Sequence, residues 1–337
     1  MKRLKRRAMS LLPGTGWLYA LLVWTIGGSI APSRAVPQPV TTTRAIVQLQ
    51  GLEVPAPRVK GTATVPIKML EKTQVYTAAV TVGKLSRPFL VDTGASTTLL
   101  SAGLVNELKL PGRAVPSDRL ASAVAGNECS TMKATLHELP PLTLQSLEIR
   151  GVTGLRFEKA AVPDGLAGAM GMDVLRQFDL KFNPKAKMLA FLPTSVLPTA
   201  SSAAAIPLQK KLGVFLAKLT LDGRGPFTVL LDTGADSTFI SQEVAQQLSL
   251  RNRQPIQVLG FCGLESAEKS QLASAKLLQY EQKNIEAIIL SSPILKLLGV
   301  DGILGQNFLG QYQQHWRFVP SIINGVKADG SLLLSPQ

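Results

Sequence analysis

The amino-acid sequence predicts an all-β protein with short helices, built as two similar lobes in one chain. Apolar residues make up 45% of the 337 residues and charged residues 17%, so the chain has enough apolar material for packed cores. Segments that alternate apolar and polar residues, a pattern typical of strands, recur along it. The same series of motifs then appears twice, 140 residues apart at its centre.

The first 35 residues are predicted to be a signal peptide. Five basic residues lie among the first seven, a ten-residue apolar run follows at 17–26, and small residues lead to Ala35. We expect cleavage after Ala35 and export to the periplasm or the extracellular space. An uncleaved segment that anchors the protein in a membrane is the alternative, although a comfortable span needs ~20 apolar residues. Residues 36–64, rich in Pro, Thr and Val, are predicted to be a linker or a loosely held arm.

The net charge of +14 is concentrated at the N-terminus. Residues 1–35 contain six basic and no acidic residues, so their removal leaves a net charge of +8. The sequence has no cluster of basic and aromatic residues of the kind that binds nucleic acid, and a solvated basic surface explains the charge. We therefore predict no nucleic-acid partner.

The first repeated element is a pair of strands joined by a tight turn. Residues 75–82 alternate apolar and polar side chains, and residues 214–221 repeat the pattern. Gly-Lys at 83–84 and Asp-Gly at 222–223 supply the turns. Each copy therefore begins with a hairpin.

A loop and a helix follow the hairpin in each copy. Residues 92–110 and 232–250 are identical at eight of nineteen positions, and both begin with Asp-Thr-Gly-Ala. Ser101 and Ser241 are predicted to cap helices that run from the next residue to the end of each segment, at 110 and 250.

A second shared motif, two apolar residues followed by glycine, lies near the end of each copy. Gly171 closes this motif in the first copy and Gly305 closes it in the second. A Ser/Ala/Pro-rich linker at 195–204 separates the copies. We therefore place the first lobe at 65–194 and the second at 205–337.

Histidine and cysteine are too scarce for several common catalytic centres. His137, His315, Cys129 and Cys262 lack metal-ligand spacing, so we predict no metal and no cofactor. A Ser-His-Asp or Cys-His mechanism would depend on one isolated histidine. The glycines of 165–171 do not have the spacing of a nucleotide-binding loop. The composition favours catalysis by carboxylates, backbone groups and hydroxyls.

The combined pattern resembles the retropepsin-like aspartic proteases of the pepsin and retropepsin superfamily. The resemblance covers about 260 residues, and the second copy, with Asp232–Thr238 and Leu304–Leu309, is the closer match to the retroviral pattern. In this family each unit is a half-barrel, and two units form one active site at their interface. The resemblance implies a bilobal acid-protease fold with an internal pseudo-dimer, so we expect a monomer.

The chain departs from the retroviral pattern around the predicted site. Gln306 and Met172 stand where retroviral enzymes keep an arginine, which pairs with the aspartate at the position of Asp236. The first copy has Ser96 in place of that aspartate. These departures concern the support of the substrate-binding loops.

The two Asp-Thr-Gly loops supply the predicted catalytic groups, Asp92 and Asp232. Peptide hydrolysis without a metal or a covalent intermediate needs a base that activates water and an acid that protonates the leaving nitrogen. Two facing carboxyl groups can do both, because they cannot both ionise cheaply and therefore share a proton. The sequence thus predicts an aspartic endopeptidase acting on peptide or protein substrates, and the resemblance implies a mildly acidic optimum.

The other site residues follow from loop geometry and from the resemblance. Glycines let the loops approach each other, and in the family the two threonines hydrogen-bond across the interface. The predicted supporting residues are Thr93, Gly94, Ala95, Thr233, Gly234, Ala235, Gly171 and Gly305. The predicted substrate-binding residues are Asp236 and, in flap regions that move over a peptide, Gly126, Gly260 and Phe261. Flap loops that do not touch substrate are the alternative.

Two other functions, and the pairing of the two cysteines, stay open at this point. A peptide-binding or assembly module could keep this fold without turnover, and a structural envelope protein is a third possibility. Cys129 and Cys262 both fall in the flap regions. They form a disulfide in one interpretation and stay as small unpaired residues in the other.

Overall fold

Strands dominate the chain, as the alternating pattern predicts. The structure is a computed structural model that describes residues 40–41, 45–49, 54–116, 120–124, 133–158, 162–163, 165–260, 263–291 and 293–337. Residues 37–337 belong to one unit.

The strands of the first half lie before the Ser/Ala/Pro-rich linker. They are β1 (Val40–Thr41), β2 (Ala45–Leu49), β3 (Arg58–Lys60), β4 (Ala63–Met69), β5 (Tyr76–Val82), β6 (Leu85–Val91), β7 (Leu99–Leu100), β8 (Arg113–Val115), β9 (Leu120–Val124), β10 (Ala134–Glu138), β11 (Leu142–Leu144), β12 (Leu147–Arg150), β13 (Thr153–Phe157), β14 (Gly168–Met170), β15 (Asp179–Asn183) and β16 (Met188–Leu192).

The strands of the second half follow the same order of motifs. They are β17 (Ile206–Lys211), β18 (Val214–Leu221), β19 (Arg224–Leu231), β20 (Thr238–Ile240), β21 (Gln254–Gly260), β22 (Gly263–Leu277), β23 (Tyr280–Ile289), β24 (Gly302–Leu304), β25 (Tyr312–Arg317), β26 (Ser321–Ile323), β27 (Val326–Ala328) and β28 (Gly330–Pro336). The helices are short: α1 (Ala102–Glu107), α2 (Met172–Leu175), α3 (Gln242–Gln247), α4 (Pro293–Leu298), α5 (Gln306–Leu309) and a 3-10 helix at Thr199–Ala204.

In each half, one of the parallel strand pairs carries the two repeated motifs. In the first half β6 runs parallel to β14, with Val91 opposite Met170. In the second half β19 runs parallel to β24, with Leu231 opposite Leu304. The Asp-Thr-Gly loop leaves the end of the first strand of each pair, and the distal glycine follows the second strand. The parallel pairing therefore brings the two repeated motifs of each half side by side.

A six-stranded antiparallel sheet joins the two halves. Its strands lie in the order β4, β16, β15, β25, β28 and β17. The junction is the pairing of β15 with β25, which places Leu180 opposite Trp316. Because β4 and β17 continue into the hairpins of their own halves, this sheet connects both halves as one framework.

The apolar side chains of both halves merge into one large core cluster. Trp316, Phe178 and Phe191 are among its largest fully buried side chains. The Phe178 and Phe191 rings meet edge to face, with their centroids 5.3 Å apart. A shared core of this kind resists separation of the halves, because separation would expose its apolar surface to water.

The two capped helices begin as predicted and end earlier than predicted. Ser101 accepts a hydrogen bond from the Leu104 N–H, and Ser241 accepts one from the Val244 N–H. The sequence predicts helices to 110 and 250, yet α1 ends at Glu107 and α3 at Gln247. Lys109 and Ser249 take positive φ angles of 51° and 54°, a backbone turn that ends a helix.

The arm before the first lobe differs from the predicted linker. Strands β1, β2 and β3 lie within 36–64, and β3 pairs with β12, placing Lys60 opposite Glu148. These strands form because other strands offer unpaired backbone edges, a feature that a local sequence pattern does not reveal. Within the described part of the chain, no helix is long and apolar enough to cross a membrane.

Candidate active site

The site is built on the ends of two buried parallel strands. Phe89, Leu90 and Val91 are buried, and the equivalent Val229–Leu231 are buried as well. Apolar side chains on both faces fix these strands, so each loop that follows leaves a rigid base. The loops place Asp92 and Asp232 at their start, and both residues are fully buried.

The distal glycines, Gly171 and Gly305, pack closely against the segments that follow the Asp loops. A Cβ atom added to Gly171 would lie 2.4 Å from the Thr97 carbonyl oxygen, and one added to Gly305 would lie 2.2 Å from that of Ser237. The residues after these glycines donate backbone hydrogen bonds of 2.8 Å to the carbonyls of Ala95 and Ala235. Only glycine fits this crossing, which ties the Asp loop of each half to the strand beside it.

The loop glycines bring the two carboxyl groups together. The Gly94 N–H donates to Asp92 Oδ1 at 2.9 Å, and the Gly234 N–H donates to Asp232 Oδ1 at 2.8 Å. A Cβ atom on Gly94 would lie 2.3 Å from Asp232 Cγ, and one on Gly234 would lie 2.5 Å from Asp92 Cγ. Each carboxyl group thus rests against the glycine of the opposite loop.

Two threonines link the loops by reciprocal hydrogen bonds. The Thr93 N–H donates to Thr233 Oγ1 and the Thr233 N–H donates to Thr93 Oγ1, each at 3.0 Å. The Thr93 hydroxyl donates to the Leu231 carbonyl at 2.9 Å, and the Thr233 hydroxyl donates to the Val91 carbonyl at 2.7 Å. These four bonds are buried, so they set the spacing of the two aspartates across the lobe interface.

The electrostatics of the pair follow from its burial. Desolvation raises the pKa of the Asp92 carboxyl well above its usual range, and the adjacent Asp232 carboxyl raises it further by charge and hydrogen bonding. The hydrogen bonds from the loop amides oppose this shift. The pair therefore retains a proton at a pH where an isolated aspartate would be ionised.

Behind each loop lies a second polar pair that the sequence did not reveal as part of the site. The Thr98 hydroxyl donates to Asp173 Oδ1 at 2.8 Å, and the Thr238 hydroxyl donates to Asn307 Oδ1 at 2.7 Å. Identical threonines at equivalent positions of the repeat were the available signal. The pairs tie the segment after each Asp loop to the first turn of α2 or α5.

Gln306 stands at the position of the arginine in the retroviral pattern, and its shorter side chain supports the second Asp loop. Its side chain is fully buried, and its Nε2 donates to the Thr233 carbonyl at 3.3 Å. It therefore braces the second Asp-Thr-Gly loop directly. Met172 occupies the equivalent place in the first half and is buried among apolar side chains, so only the second loop has this polar brace.

The predicted substrate-binding residues are only partly within the described chain. Asp236 directly follows the second Asp-Thr-Gly-Ala loop, and its carbonyl accepts a hydrogen bond from the Asn307 N–H at 3.1 Å. Gly260 ends β21, where it pairs with Gly263 at the end of a hairpin. Gly126 and Phe261 lie outside the described residues. Cys129 and Cys262 lie outside them too, so both interpretations of the pair, disulfide and unpaired, stay open.

The neighbours of the two histidines define the contacts of one ring and the charge of the other. The His137 ring is buried and lies within hydrogen-bond distance of the Thr135 hydroxyl, at 2.8 Å, and of the Pro111 carbonyl, at 3.1 Å. Burial lowers the pKa of His315 to about 4, and the charges of Arg317 and Lys181 act in the same direction. His315 is therefore neutral near pH 7.

Comparisons with known proteins place a similar domain in each half. The family described as "Aspartyl protease" matches residues 78–174, and the family described as "gag-polyprotein putative aspartyl protease" matches residues 217–311. A solved retropepsin-like aspartic protease from Rickettsia conorii is similar at 18% identity, over 39% of this chain and 86% of that one, with a TM-score of 0.27. The comparison with curated proteins gave no match. The chain therefore carries two regions in tandem, one in each half, that match aspartyl protease families.

Proposed function

We propose that the protein is an aspartic endopeptidase whose dyad consists of Asp92 and Asp232. The observation that carries this proposal is the contact of each carboxyl group with the glycine of the opposite loop. The contact supports the proposal because acid–base hydrolysis needs two carboxyl groups close enough to share one water and one peptide bond.

The proposed reaction uses the single proton that the dyad retains. The ionised carboxyl group accepts a proton from water, whose oxygen attacks the peptide carbonyl carbon while the protonated carboxyl group donates to the carbonyl oxygen. The tetrahedral intermediate then takes a proton on nitrogen, the C–N bond breaks, and an acid and an amine leave. Each carboxyl group acts once as acid and once as base, so the dyad returns to its starting protonation state.

Cleavage of a mixed peptide library across pH tests this proposal. We expect a bell-shaped profile with its maximum in mildly acidic solution, and losses of about 10³-fold or more for Asp92→Asn and for Asp232→Asn. A peptide mimic with a hydroxyl at the scissile position should inhibit. Asp329→Asn is the matched control, since Asp329 accepts the Lys210 N–H outside the site. Unchanged cleavage in the Asp92 variant, or abolition by a chelator, would contradict the mechanism.

A peptide-binding module without turnover is the second candidate, and one observation favours it. Gln306 Oε1 is buried, and it has no hydrogen-bond partner among the described residues. The loop support is thus weaker than a bidentate arginine would give. Binding of library peptides with no cleavage at any pH would select this candidate.

A further inference from the structure

A buried ion pair crosses the junction between the two halves. Arg317 Nε of β25 lies 3.6 Å from Asp179 Oδ2 of β15, and the two side chains are only 9% and 3% exposed. The Ser195 hydroxyl donates to the same carboxylate oxygen and accepts the Arg317 Nε–H at 3.3 Å. His315 Nε2 lies 4.0 Å from that oxygen. Charged and polar side chains of both halves therefore meet at one buried point.

The ion pair lies beside the pseudo-two-fold axis that relates the halves. Lys181 of β15 lies opposite His315 of β25, and each residue follows the distal glycine of its own half by ten positions. Equivalent residues face each other where such an axis crosses a sheet, so the axis passes between these two residues. Asp179 and Arg317 lie two positions away, at one end of the pairing. The reciprocal threonine bonds of the Asp loops cross the same axis.

The repeat places neutral residues at the other end of the junction. Gln313 follows its distal glycine by eight positions, as Asp179 does, and Asn183 follows its glycine by twelve, as Arg317 does. The symmetry of the halves therefore does not account for the charges. Because the charges occur at one end only, a shifted pairing of β15 with β25 would separate Asp179 from Arg317.

The ion pair is a poor source of stability. Asp179 Oδ1 and Arg317 Nη1 are buried and have no hydrogen-bond partner among the described residues. The same holds for Ser331 Oγ, which lies on the strand residue opposite Arg317. Burial of two charges with incomplete hydrogen bonding is costly, and apolar residues of similar volume often give an equal or higher stability. A buried pair can instead select one alignment of the elements that it joins.

Both junction strands continue from the helices that support the Asp loops. Three residues separate α2 from β15, and two separate α5 from β25. In α2 the Met172 N–H donates to the Ala95 carbonyl, and in α5 the Gln306 N–H donates to the Ala235 carbonyl, each at 2.8 Å. A shift of β15 against β25 therefore moves one Asp loop relative to the other.

We propose that Asp179 and Arg317 are positioning residues that align the two halves so that the carboxyl groups of Asp92 and Asp232 meet. The inference rests on the proposed function, because hydrolysis needs both carboxyl groups in register with one water. A displacement of about 1 Å caused far from the reacting groups can cost about 100-fold in rate. The ion pair thus acts on turnover through the helices, without touching the substrate.

An apolar replacement of the whole pair tests the alignment. Asp179→Leu together with Arg317→Met removes both charges and keeps side chains of similar length. We expect a Tm at pH 7 that is equal to that of the unaltered protein or higher. The amides of Thr93 and Thr233 should exchange with solvent about tenfold faster or more, because the loops no longer meet in one position. Unchanged exchange of both amides in the folded variant would overturn the proposal.

The same measurement separates a positioning role from a structural one. A lower Tm with faster exchange throughout the chain would show that the pair only holds the fold together, and would overturn the proposal. The matched control is Glu148→Leu with Arg150→Met, which removes an ion pair whose side chains are 30% and 61% exposed. This control should leave both threonine amides unchanged. If the double junction variant does not fold, Arg317→Lys replaces it, since lysine keeps the charge and lacks the planar fork.

Kinetics distinguishes a failure of this proposal from a failure of the proposed catalysis. Where the unaltered protein cleaves library peptides, we expect the double junction variant to lower kcat about tenfold or more and to change KM less than about threefold. An unchanged kcat would overturn the positioning role. Where the unaltered protein cleaves nothing at any pH, the proposed function fails, and the amide exchange of the two threonines alone decides the alignment.

Discussion

At the scale of single residues, the site depends on what surrounds its two carboxyl groups. Glycine at 94 and 234 lets each loop lie against the opposite aspartate, and the same glycines donate N–H groups to their own aspartates. Burial opposes ionisation, while these amide bonds favour it. The net effect is a raised pKa for Asp92, so the folded protein binds this proton more tightly than the unfolded chain does.

Asp92→Asn should therefore stabilise the protein near neutral pH. The folded pKa of Asp92 is raised, so stability falls as the pH rises above the unfolded value of about 3.9. Asparagine carries no charge and removes that loss. We expect the Tm of Asp92→Asn to exceed that of the unaltered protein at pH 7 and to equal it near pH 3. Thermal unfolding checks this, and a lower Tm at pH 7 would contradict it.

Thr93→Val should weaken both the fold and the site. The substitution leaves the Leu231 carbonyl and the Thr233 N–H without the bonds that Thr93 makes in the buried interface. Each orphaned group costs about 1–3 kcal/mol, so the two together predict a loss of about 2–6 kcal/mol in urea unfolding. Peptide cleavage should fall with it. Thr64→Val on the exposed side of β4 is the control and should change stability by under about 0.5 kcal/mol.

At the scale of elements, each half repeats one unit: a strand, an Asp loop, a short strand, and a later strand that is followed by glycine. A threonine hydroxyl closes the unit by donating to Asp173 in the first half and to Asn307 in the second. Asn307 Nδ2 also donates to the Glu286 carbonyl at 2.8 Å. The same threonine hydrogen bond is thus accepted by an ionisable residue in the first half and by a neutral residue in the second.

Asp173→Asn should stabilise the first half near neutral pH. Burial raises the pKa of Asp173 despite the hydrogen bonds from Thr98, so ionisation of Asp173 costs stability as the pH rises above the unfolded value. Asparagine keeps an oxygen that accepts the Thr98 hydroxyl. We expect a higher Tm for Asp173→Asn at pH 7 and no difference near pH 3. Asn307→Asp should lower the Tm more at pH 7 than at pH 3, and a pH-independent effect in both would refute the argument.

At the scale of the whole molecule, one chain contributes both halves of the site. The six-stranded sheet and the shared core hold the halves in one framework, and the threonine bonds cross between them. No second copy of the chain is needed to bring Asp92 and Asp232 together.

Chains that each lack one aspartate should not complement each other. We expect an equimolar mixture of Asp92→Asn and Asp232→Asn chains to be no more active than either chain alone, because each molecule carries a broken dyad. Light scattering of the unaltered protein should give the mass of a monomer. Recovery of a quarter or more of the original activity on mixing would show a site formed between chains.

The residues alone predict the main features of the fold and the positions of the two loops. The alternating segments, the serine caps and the Asp-Thr-Gly-Ala repeats are local patterns, and their second occurrence distinguishes them from ordinary turns. The helix ends are less predictable, because Lys109 and Ser249 turn the backbone without the glycine that usually marks such a position. The strands of the arm have no local signature either.

The rest was decided by tertiary structure, for a common physical reason. The threonine exchange joins residues 140 positions apart, and the pKa of Asp92 depends on a carboxyl group from the other half. The pairing of the arm with β9 and β21 depends on strand edges that exist only after both halves have folded. Local composition predicts strands, turns and caps, since these form within a few residues. Contacts between distant segments depend on where the whole chain places them, and those contacts determine the spacing and the charge of the two carboxyl groups.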